Sequence, residues 1–348
     1  MGDTGQGGNI AGRSGTMTVS VEQAQPVDVP TIAVVIPAFN VKNYVREAIE
    51  SVRQQTVSPD EVIIIDDGST DGTTEVLADY ADLPGFRVIR TENNGLGPAR
   101  NLGRMLARSQ YIYFFDSDDL IKENFVERIR EIIQENGNPD MIIFLAENFR
   151  DHDCDHPDFA HYRRSLRGRF SQDDCLLTEL TRRREIYAAA WLYVTKSALW
   201  SENRLVFPPI IHEDEPVYFP LLALSRSTVV VPEVYYRRRI RAGSIMTGGV
   251  DARNVSGFLR NLNETMEFMA REPDLVEAEL SAWRFRLREF GVRYVNCCRT
   301  TGHDIMWNSV LASILTVRQI SYFFLLAYLA SPEWVKTLLR KIKRICIR

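Results

Sequence analysis

Cysteine is scarce in this sequence of 348 residues, which contains only five and no C-x-x-C spacing. An odd number of cysteines without paired spacing excludes a disulfide scaffold and predicts free thiols in a reducing compartment. No run of 18 apolar residues occurs, so we expect no membrane-spanning helix. The N-terminus lacks a basic segment followed by an apolar one, so we also expect no secretory signal.

Two phosphate-binding loops are also missing. No G-x-x-x-x-G-K-[ST] occurs, which excludes a P-loop NTPase, and no G-x-G-x-x-G follows the first predicted strand, which argues against a dinucleotide-binding fold. Neither charge sign dominates, since 42 Lys and Arg face 46 Asp and Glu, for a net charge of −4. The sequence therefore predicts no nucleic-acid partner.

Alternating apolar runs and helical patterns divide the chain into segments. Residues 1–30 are polar and rich in glycine, which predicts a disordered leader. Strands and helices alternate over 31–145 and less regularly over 146–250, and 251–319 is mainly helical. We therefore predict an α/β fold with a doubly wound, mostly parallel sheet and a C-terminal helical region.

Polar residues follow three predicted strands, at the sheet edge where ligands bind in such folds. The main group is D-S-D-D at 116–119, which comes after an apolar and aromatic run. Adjacent carboxylates at a buried strand end favour a hard cation, and Mg²⁺ or Mn²⁺ commonly takes one or two carboxylates plus substrate phosphates. The alternative is a solvated turn that caps the next helix.

Two further motifs point to the same edge. In D-D-G-S-T-D-G (66–72), Asp67 is placed to accept a hydrogen bond from a base or ribose, unless the motif only caps a helix. In N-N-G-L-G-P-A-R-N (93–101), a glycine-rich turn precedes a helix whose Arg100 would point toward a nucleotide or phosphate.

Taken together with P-A-F-N (37–40), these motifs resemble glycosyltransferase family 2, whose members are inverting enzymes with a GT-A fold. The resemblance covers about 31–145, the expected nucleotide-sugar half, and 146–250 would be the acceptor half. It implies that Asp67 and Asn40 contact the base, Asp116 reaches the ribose, and Asp118 with Asp116 holds the metal at the diphosphate. The residues expected to bind the donor are Pro37, Ala38, Asn40, Asp67, Asn94, Arg100, Asp116, Ser117, Arg239, Arg241 and Ser244.

The second half resembles, more weakly, enzymes that build capsular, exopolysaccharide or teichoic acid chains. The motifs are A-A-A-W-L-Y (188–193), I-H-E-D-E (211–215) and Y-R-R-R-I-R-A-G-S-I-M (236–246). The resemblance implies that the general base belongs to the E-D pair, with Asp214 favoured and Glu213 as the alternative. The structural alternative is that these acids only cap the helix that follows them. Trp191 and His212 are expected on the acceptor side. Which of the four arginines between 237 and 241 contacts the diphosphate stays open.

These expectations predict a metal-dependent inverting glycosyltransferase. It would move one sugar from a nucleotide sugar, with a UDP-sugar favoured, to a hydroxyl of a cell-surface polysaccharide or lipid-linked glycan. Inversion needs one base, because the metal neutralises the leaving diphosphate. A non-catalytic nucleotide-sugar-binding protein is the first alternative. A sugar-phosphate nucleotidyltransferase is the second, although residues 37–40 lack its glycine-rich loop.

The C-terminal segment 320–348 combines an apolar run with a basic end. Residues 333–348 carry a charge of +5, so the remainder carries −9, and apolar residues recur at helical spacing between the basic ones. This composition is typical of an interfacial helix on an anionic lipid surface, and a docked terminal helix is the alternative. We therefore expect a cytoplasmic protein, peripheral on the inner face of the cell membrane.

Overall fold

The computed structural model describes residues 1–2, 29–151, 162–241 and 249–317. Most of the predicted leader, Ser244 and the predicted tail at 320–348 lie outside these residues.

The described residues contain nine strands that form one sheet. The strands are β1 Ile32–Ala38, β2 Glu61–Asp66, β3 Phe86–Arg90, β4 Tyr111–Phe114, β5 Leu120–Ile121, β6 Met141–Arg150, β7 Gly168–Ser171, β8 Tyr193–Lys196 and β9 Ser227–Ile240. Their order is β3-β2-β1-β4-β8-β6-β9-β5, and β7 pairs with β9. Strand β8 begins directly after a 3₁₀ turn at Ala190–Leu192.

Strands β1, β2, β3 and β4 pair in parallel, as the sequence predicts, and so do β6 and β9. Strand β8 runs antiparallel to both of its neighbours, and β5 and β7 run antiparallel to β9. The sheet is therefore parallel where helices connect consecutive strands and mixed in the second half, where the connections are irregular.

Helices lie on both faces of the sheet and extend beyond it. They are α1 Val45–Arg53, α2 Thr73–Ala78, α3 Leu96–Leu106, α4 Phe125–Glu135, α5 Leu176–Arg183, α6 Ser197–Glu202, α7 Glu215–Leu224, α8 Ala252–Arg271, α9 Pro273–Ala278, α10 Leu280–Thr301 and α11 Trp307–Val317. A second 3₁₀ turn spans Gln172–Asp174. No helix among the described residues is long and apolar enough to span a membrane.

Two apolar cores cover the two faces of the sheet. Successive strand residues point to opposite faces, so Val35 belongs to the core under α3 and the C-terminal helices, while Val34 belongs to the core under α1 and α4. Both residues are fully buried. This double burial explains why the first strands are continuous apolar runs.

The C-terminal helices pack on the first of these cores. Helix α10 contacts α5, α8 and α11, and α8 contacts α7. Buried Trp283 stacks on Phe268 and also meets Phe219 of α7. The helical region is therefore joined to the element that follows the E-D pair.

Candidate active site

The carboxyl ends of β1, β2 and β4 meet at one edge of the sheet. Ala38 pairs with Asp66 at the ends of β1 and β2, and the Asp67 N–H donates to the Ala38 carbonyl at 2.9 Å. The Phe115 N–H likewise donates to the Val35 carbonyl at 2.9 Å. The predicted motifs after these strands therefore lie together, as parallel pairing requires.

Asn40 links the turn after β1 to the turn after β2. Its backbone is left-handed, with φ of 52°, and its side-chain oxygen accepts from the Thr70 N–H at 2.8 Å. The Asn40 N–H donates to Ser69 Oγ at 3.1 Å. Asn40 is exposed at this edge, whereas Pro37 and Ala38 are buried within β1.

Asp67 is buried and holds the glycine-rich turn before α3. Its carboxylate accepts from the backbone N–H groups of Asn94 at 2.9 Å and Gly95 at 2.8 Å. Charge-assisted bonds of this kind fix the turn firmly against the sheet edge. The sequence predicts that Asp67 contacts the nucleotide base. In the structure its carboxylate binds the backbone of the turn before α3.

Arg100 is buried rather than directed at a donor. Its guanidinium donates to Asp116 Oδ1 at 2.7 Å and, through its other terminal nitrogen, to Glu213 Oε1. Burial alone would lower the pKa of Arg100, but the two carboxylates hold it above its ordinary value. Arg100 therefore joins the strand-end acids to the E-D pair, which differs from the phosphate contact that its position in sequence predicts.

The D-S-D-D turn presents two half-buried carboxylates and one that is buried. The side chains of Asp116 and Asp118 are 25% and 20% exposed, whereas Ser117 and Asp119 are buried. Asp118 accepts from Arg241 Nε at 2.7 Å. Burial raises the pKa of Asp118, and neighbouring Asp116 raises it further against the opposing effect of Arg241.

This donor set fits a hard divalent cation. Asp116 and Asp118 offer carboxylate oxygens at one edge, and one oxygen of each accepts from an arginine, Arg100 or Arg241. No three His, Cys, Asp or Glu side chains converge on one point within the described residues. Mg²⁺ is commonly bound by one or two carboxylates, and substrate phosphate oxygens supply further ligands.

Of the arginines near the end of β9, Arg239 and Arg241 face the D-S-D-D turn. Arg239 Nε donates to the Asp118 carbonyl at 2.8 Å, and Arg241 lies over the Tyr44 ring with 4.7 Å to its centroid. Arg237 instead pairs with Glu147 at 3.5 Å, and Arg238 donates to the Tyr162 hydroxyl at 2.8 Å. Ser244 lies outside the described residues.

Glu213 and Asp214, which we call the acid pair, have different environments. Glu213 is buried against Arg100. Asp214 makes no side-chain cap for α7, although its backbone carbonyl accepts from the Tyr218 N–H at 3.1 Å. Burial, followed by the charge of Glu213, raises the pKa of Asp214 to about 7. Burial raises the pKa of Glu213 as well, but Glu213 is held in an ion pair with Arg100. Asp214, with a pKa of about 7, can exchange a proton near neutral pH.

The two residues predicted on the acceptor side are placed differently. Trp191 is 6% exposed and stacks on Tyr236, with ring centroids 4.3 Å apart and planes 9° apart. His212 stacks on Phe258 of α8. Burial and nearby arginines lower its pKa to about 4, so His212 is neutral at physiological pH. Trp191 therefore packs against β9, and His212 joins the segment of the acid pair to α8.

Several residues that shape the site are missing from the sequence-based expectations. Asp119 accepts from the Tyr236 hydroxyl and from the Arg239 N–H at 2.6 Å, which anchors β9 to the D-S-D-D turn. Glu47 of α1 accepts from Arg239 at 2.5 Å. Asp119 could have been found from its place in the acidic run, but no local pattern identifies Glu47.

Comparison with known proteins adds independent information. Residues 33–187 match the family model described as glycosyl transferase family 2. Glycosyltransferase GlyG of Streptococcus pneumoniae is 28% identical over 270 residues, which cover 74% of this chain and 84% of GlyG. EpsH of Bacillus subtilis is 28% identical over 235 residues, 63% of this chain and 64% of EpsH. Chondroitin synthase of Escherichia coli is 41% identical over 108 residues, 31% of this chain and 16% of the synthase.

The chain thus spans less than two thirds of EpsH and a small part of the synthase. Among solved structures, residues 1–349 of S. aureus TarS superpose with a TM-score of 0.61 at 18% identity, covering 86% of this chain and 84% of that one. Similar structures of TarS contain UDP or UDP-GlcNAc. At this identity the likeness establishes a shared fold.

Proposed function

We propose that this chain is a glycosyltransferase of family 2, because residues 33–187 match that family's model and the fold is shared with TarS. It would move one sugar from a nucleotide sugar to a glycan hydroxyl, with inversion. The observation that carries this proposal is the buried Arg100, which joins Asp116 at the donor edge to Glu213 beside Asp214. Acids suited to a metal-bound diphosphate and a base suited to a hydroxyl are thereby held in one site.

In the proposed reaction, Asp214 takes the proton from the acceptor hydroxyl as its oxygen attacks the anomeric carbon. The bond to the diphosphate breaks on the opposite face of the sugar, which inverts the configuration. Mg²⁺ or Mn²⁺ held by Asp116 and Asp118 would neutralise the charge that develops on the leaving diphosphate. Arg239 and Arg241 bring positive charge to the same edge, so no protonating acid is required on the donor side.

A UDP-sugar is the favoured donor, because TarS, which shares the fold, has been crystallised with UDP and UDP-GlcNAc. The proposed acceptor is a bacterial surface glycan or its lipid-linked precursor, since a chondroitin synthase and a hyaluronan synthase are among the relatives. Peripheral attachment to an anionic membrane would suit such an acceptor. It is supported by the +5 charge of residues 333–348 and by exposed Trp307, Leu311 and Leu315 on α11.

Thermal-shift measurements against a panel of nucleotide sugars with Mn²⁺ test the proposal, followed by transfer assays with the donors that bind. A donor at 100 times its Kd should stabilise the fold by roughly 2.7 kcal/mol. Binding without transfer or hydrolysis would favour a non-catalytic binding protein. Release of pyrophosphate from a nucleoside triphosphate and a sugar phosphate would instead show a nucleotidyltransferase.

A further inference from the structure

The segment that carries the acid pair, residues 211–215, is held from one side by α8. The His212 ring stacks on Phe258 with centroids 4.9 Å apart, and its Nε2 lies 3.3 Å from Asn254 Nδ2. The His212 carbonyl accepts from Asn261 Nδ2 at 3.3 Å. Three side chains of one helix therefore fix the ring and the backbone of the residue directly before the acid pair.

The backbones of α8 and of this segment also approach closely. A Cβ added at Gly257 would lie 2.6 Å from the carbonyl oxygen of Ile211. Only glycine permits this approach without movement of one backbone. His212 itself has a φ of 63°, a conformation that a residue with a side chain keeps only when its surroundings impose it.

Helix α10 holds the other end of the segment through a buried ion pair. Glu215 pairs with Arg286, and Arg293 approaches it at 3.3 Å. The Arg286 guanidinium lies over the rings of Phe219, at 4.9 Å, and Phe290, at 4.1 Å. The Arg286 side chain is only 4% exposed, so its position is set by packing as well as by charge.

Burial, and then the charge of Arg293, lowers the pKa of Arg286 to about 10. The guanidinium is therefore still charged at neutral pH, and it also donates to Glu289 at 3.1 Å. Breaking a buried pair of this kind leaves an uncompensated charge, so loss of the contact between Glu215 and Arg286 is costly.

We propose that α8 and α10 form a platform that positions the acid pair, and that Arg286 is a positioning residue for the acceptor-side base. The inference rests on the proposed function for its catalytic consequence, but its structural claim stands on the contacts of residues 211–215. Arg286 would then act through the segment of the acid pair, since its ion pairs within the described part of the chain are with Glu215 and Glu289.

Replacement of Arg286 by Met tests the platform, because Met retains apolar bulk but removes the charge. We expect kcat for transfer to fall by about 10- to 100-fold, since small misplacements of reacting groups can cost that much. Donor Kd, measured by calorimetry with Mn²⁺, should stay within about twofold. Hydrogen–deuterium exchange of peptides covering 211–215 should accelerate, while exchange at residues 116–119 should not change.

Two variants serve as controls. Arg288→Met removes an arginine from the same helix that has a ring contact with Phe285, and we expect it to behave as the unaltered protein. Arg286→Lys keeps the charge and should recover part of the lost kcat. If Arg286→Met does not fold, Arg293→Met removes the more exposed partner of Glu215 and should show a smaller effect of the same kind.

Unchanged kcat and unchanged exchange in the Arg286 and Arg293 variants would overturn the proposal. A parallel loss of kcat and donor affinity would also overturn it, because it would show a general effect on the fold. If no nucleotide sugar is transferred by any variant but exchange of 211–215 still accelerates selectively, the proposed function fails and the positioning role of α10 stands.

Discussion

At the level of single residues, the acid pair shows how environment separates two neighbouring carboxylates. Burial raises the pKa of both carboxyl groups. Glu213 is also paired with the buried Arg100, whereas Asp214 makes no side-chain cap for α7 and its pKa is raised to about 7. A carboxyl group that changes charge near neutral pH can accept a proton and release it again in each catalytic cycle.

Asp214→Asn should lower kcat by about 10²–10⁴-fold, because Asn keeps the shape but cannot accept the proton. Donor affinity should change little, since Asp214 is not among the predicted donor contacts. Steady-state transfer kinetics and donor calorimetry measure both effects. If Asp214→Asn transfers normally while Glu213→Gln does not, Glu213 is the base. If neither variant loses activity, the base lies elsewhere.

The pH dependence of kcat should show an acid limb near pH 7. The pKa of Asp214 is raised, so the carboxyl becomes protonated and inactive as the pH falls through about 7. Below that value kcat should drop about tenfold for each pH unit. The limb should disappear in the residual activity of Asp214→Asn. An acid limb centred near pH 4 would instead indicate a base of ordinary acidity.

Asp118→Asn should abolish metal-dependent binding of the nucleotide, because one of the two carboxylates at the proposed cation site is lost. Calorimetry with and without Mn²⁺ measures this effect separately from turnover. Asp82→Asn, at an exposed carboxylate after α2, should bind as the unaltered protein does. Full transfer by Asp118→Asn in the presence of EDTA would refute the metal assignment.

At the level of secondary-structure elements, close packing of α3 on strand β1 buries Arg100. A Cβ added at Gly103 would lie 2.3 Å from Cγ1 of Val35 in β1. The helix therefore lies closer to the sheet than a larger residue at position 103 would permit, and Arg100, in the second turn, is buried in the protein interior.

Gly103→Ala should destabilise the fold by about 1–3 kcal/mol, because overpacking outweighs the helix propensity gained from alanine. Chemical denaturation measures the change in free energy of unfolding. Met105→Ala, on the exposed side of the same helix, should change stability by less than about 0.5 kcal/mol. Stabilisation by Gly103→Ala would show that β1 and α3 can separate without cost.

At the level of the whole molecule, basic residues and exposed apolar residues are concentrated toward the C-terminal end. Helix α11 contains no charged residue and exposes Trp307, Leu311 and Leu315 at helical spacing. The chain then continues into the apolar and basic segment, which lies outside the described residues. These features suit contact with a lipid surface, while the remaining chain is acidic overall.

Deletion of 333–348 should release the protein from anionic liposomes, because each basic residue near the surface contributes about 1 kcal/mol of attraction. Raising the salt concentration should weaken binding of the full chain, as screening predicts. Sedimentation with anionic and with neutral liposomes measures both effects. Equal binding with and without the segment would favour the alternative of a docked terminal helix.

Local pattern was enough to predict the strand and helix alternation of the first half and the acidic edge. Apolar runs of four to five residues mark doubly buried strands, and polar residues directly after them must lie at the edge. The antiparallel placement of β8 was not predictable in this way, because its pairing with β4 and β6 depends on contacts far away in sequence.

The sequence by itself determined the α/β architecture, the D-S-D-D turn and the acid pair, since each depends on residues that are neighbours along the chain. Only the tertiary structure decided that Arg100 binds Glu213, 113 residues away, rather than facing outward. It likewise brought Arg239 and Arg241 into contact with Asp118 and joined Glu215 to Arg286. Such long-range pairs depend on how the elements pack together, which no local pattern records.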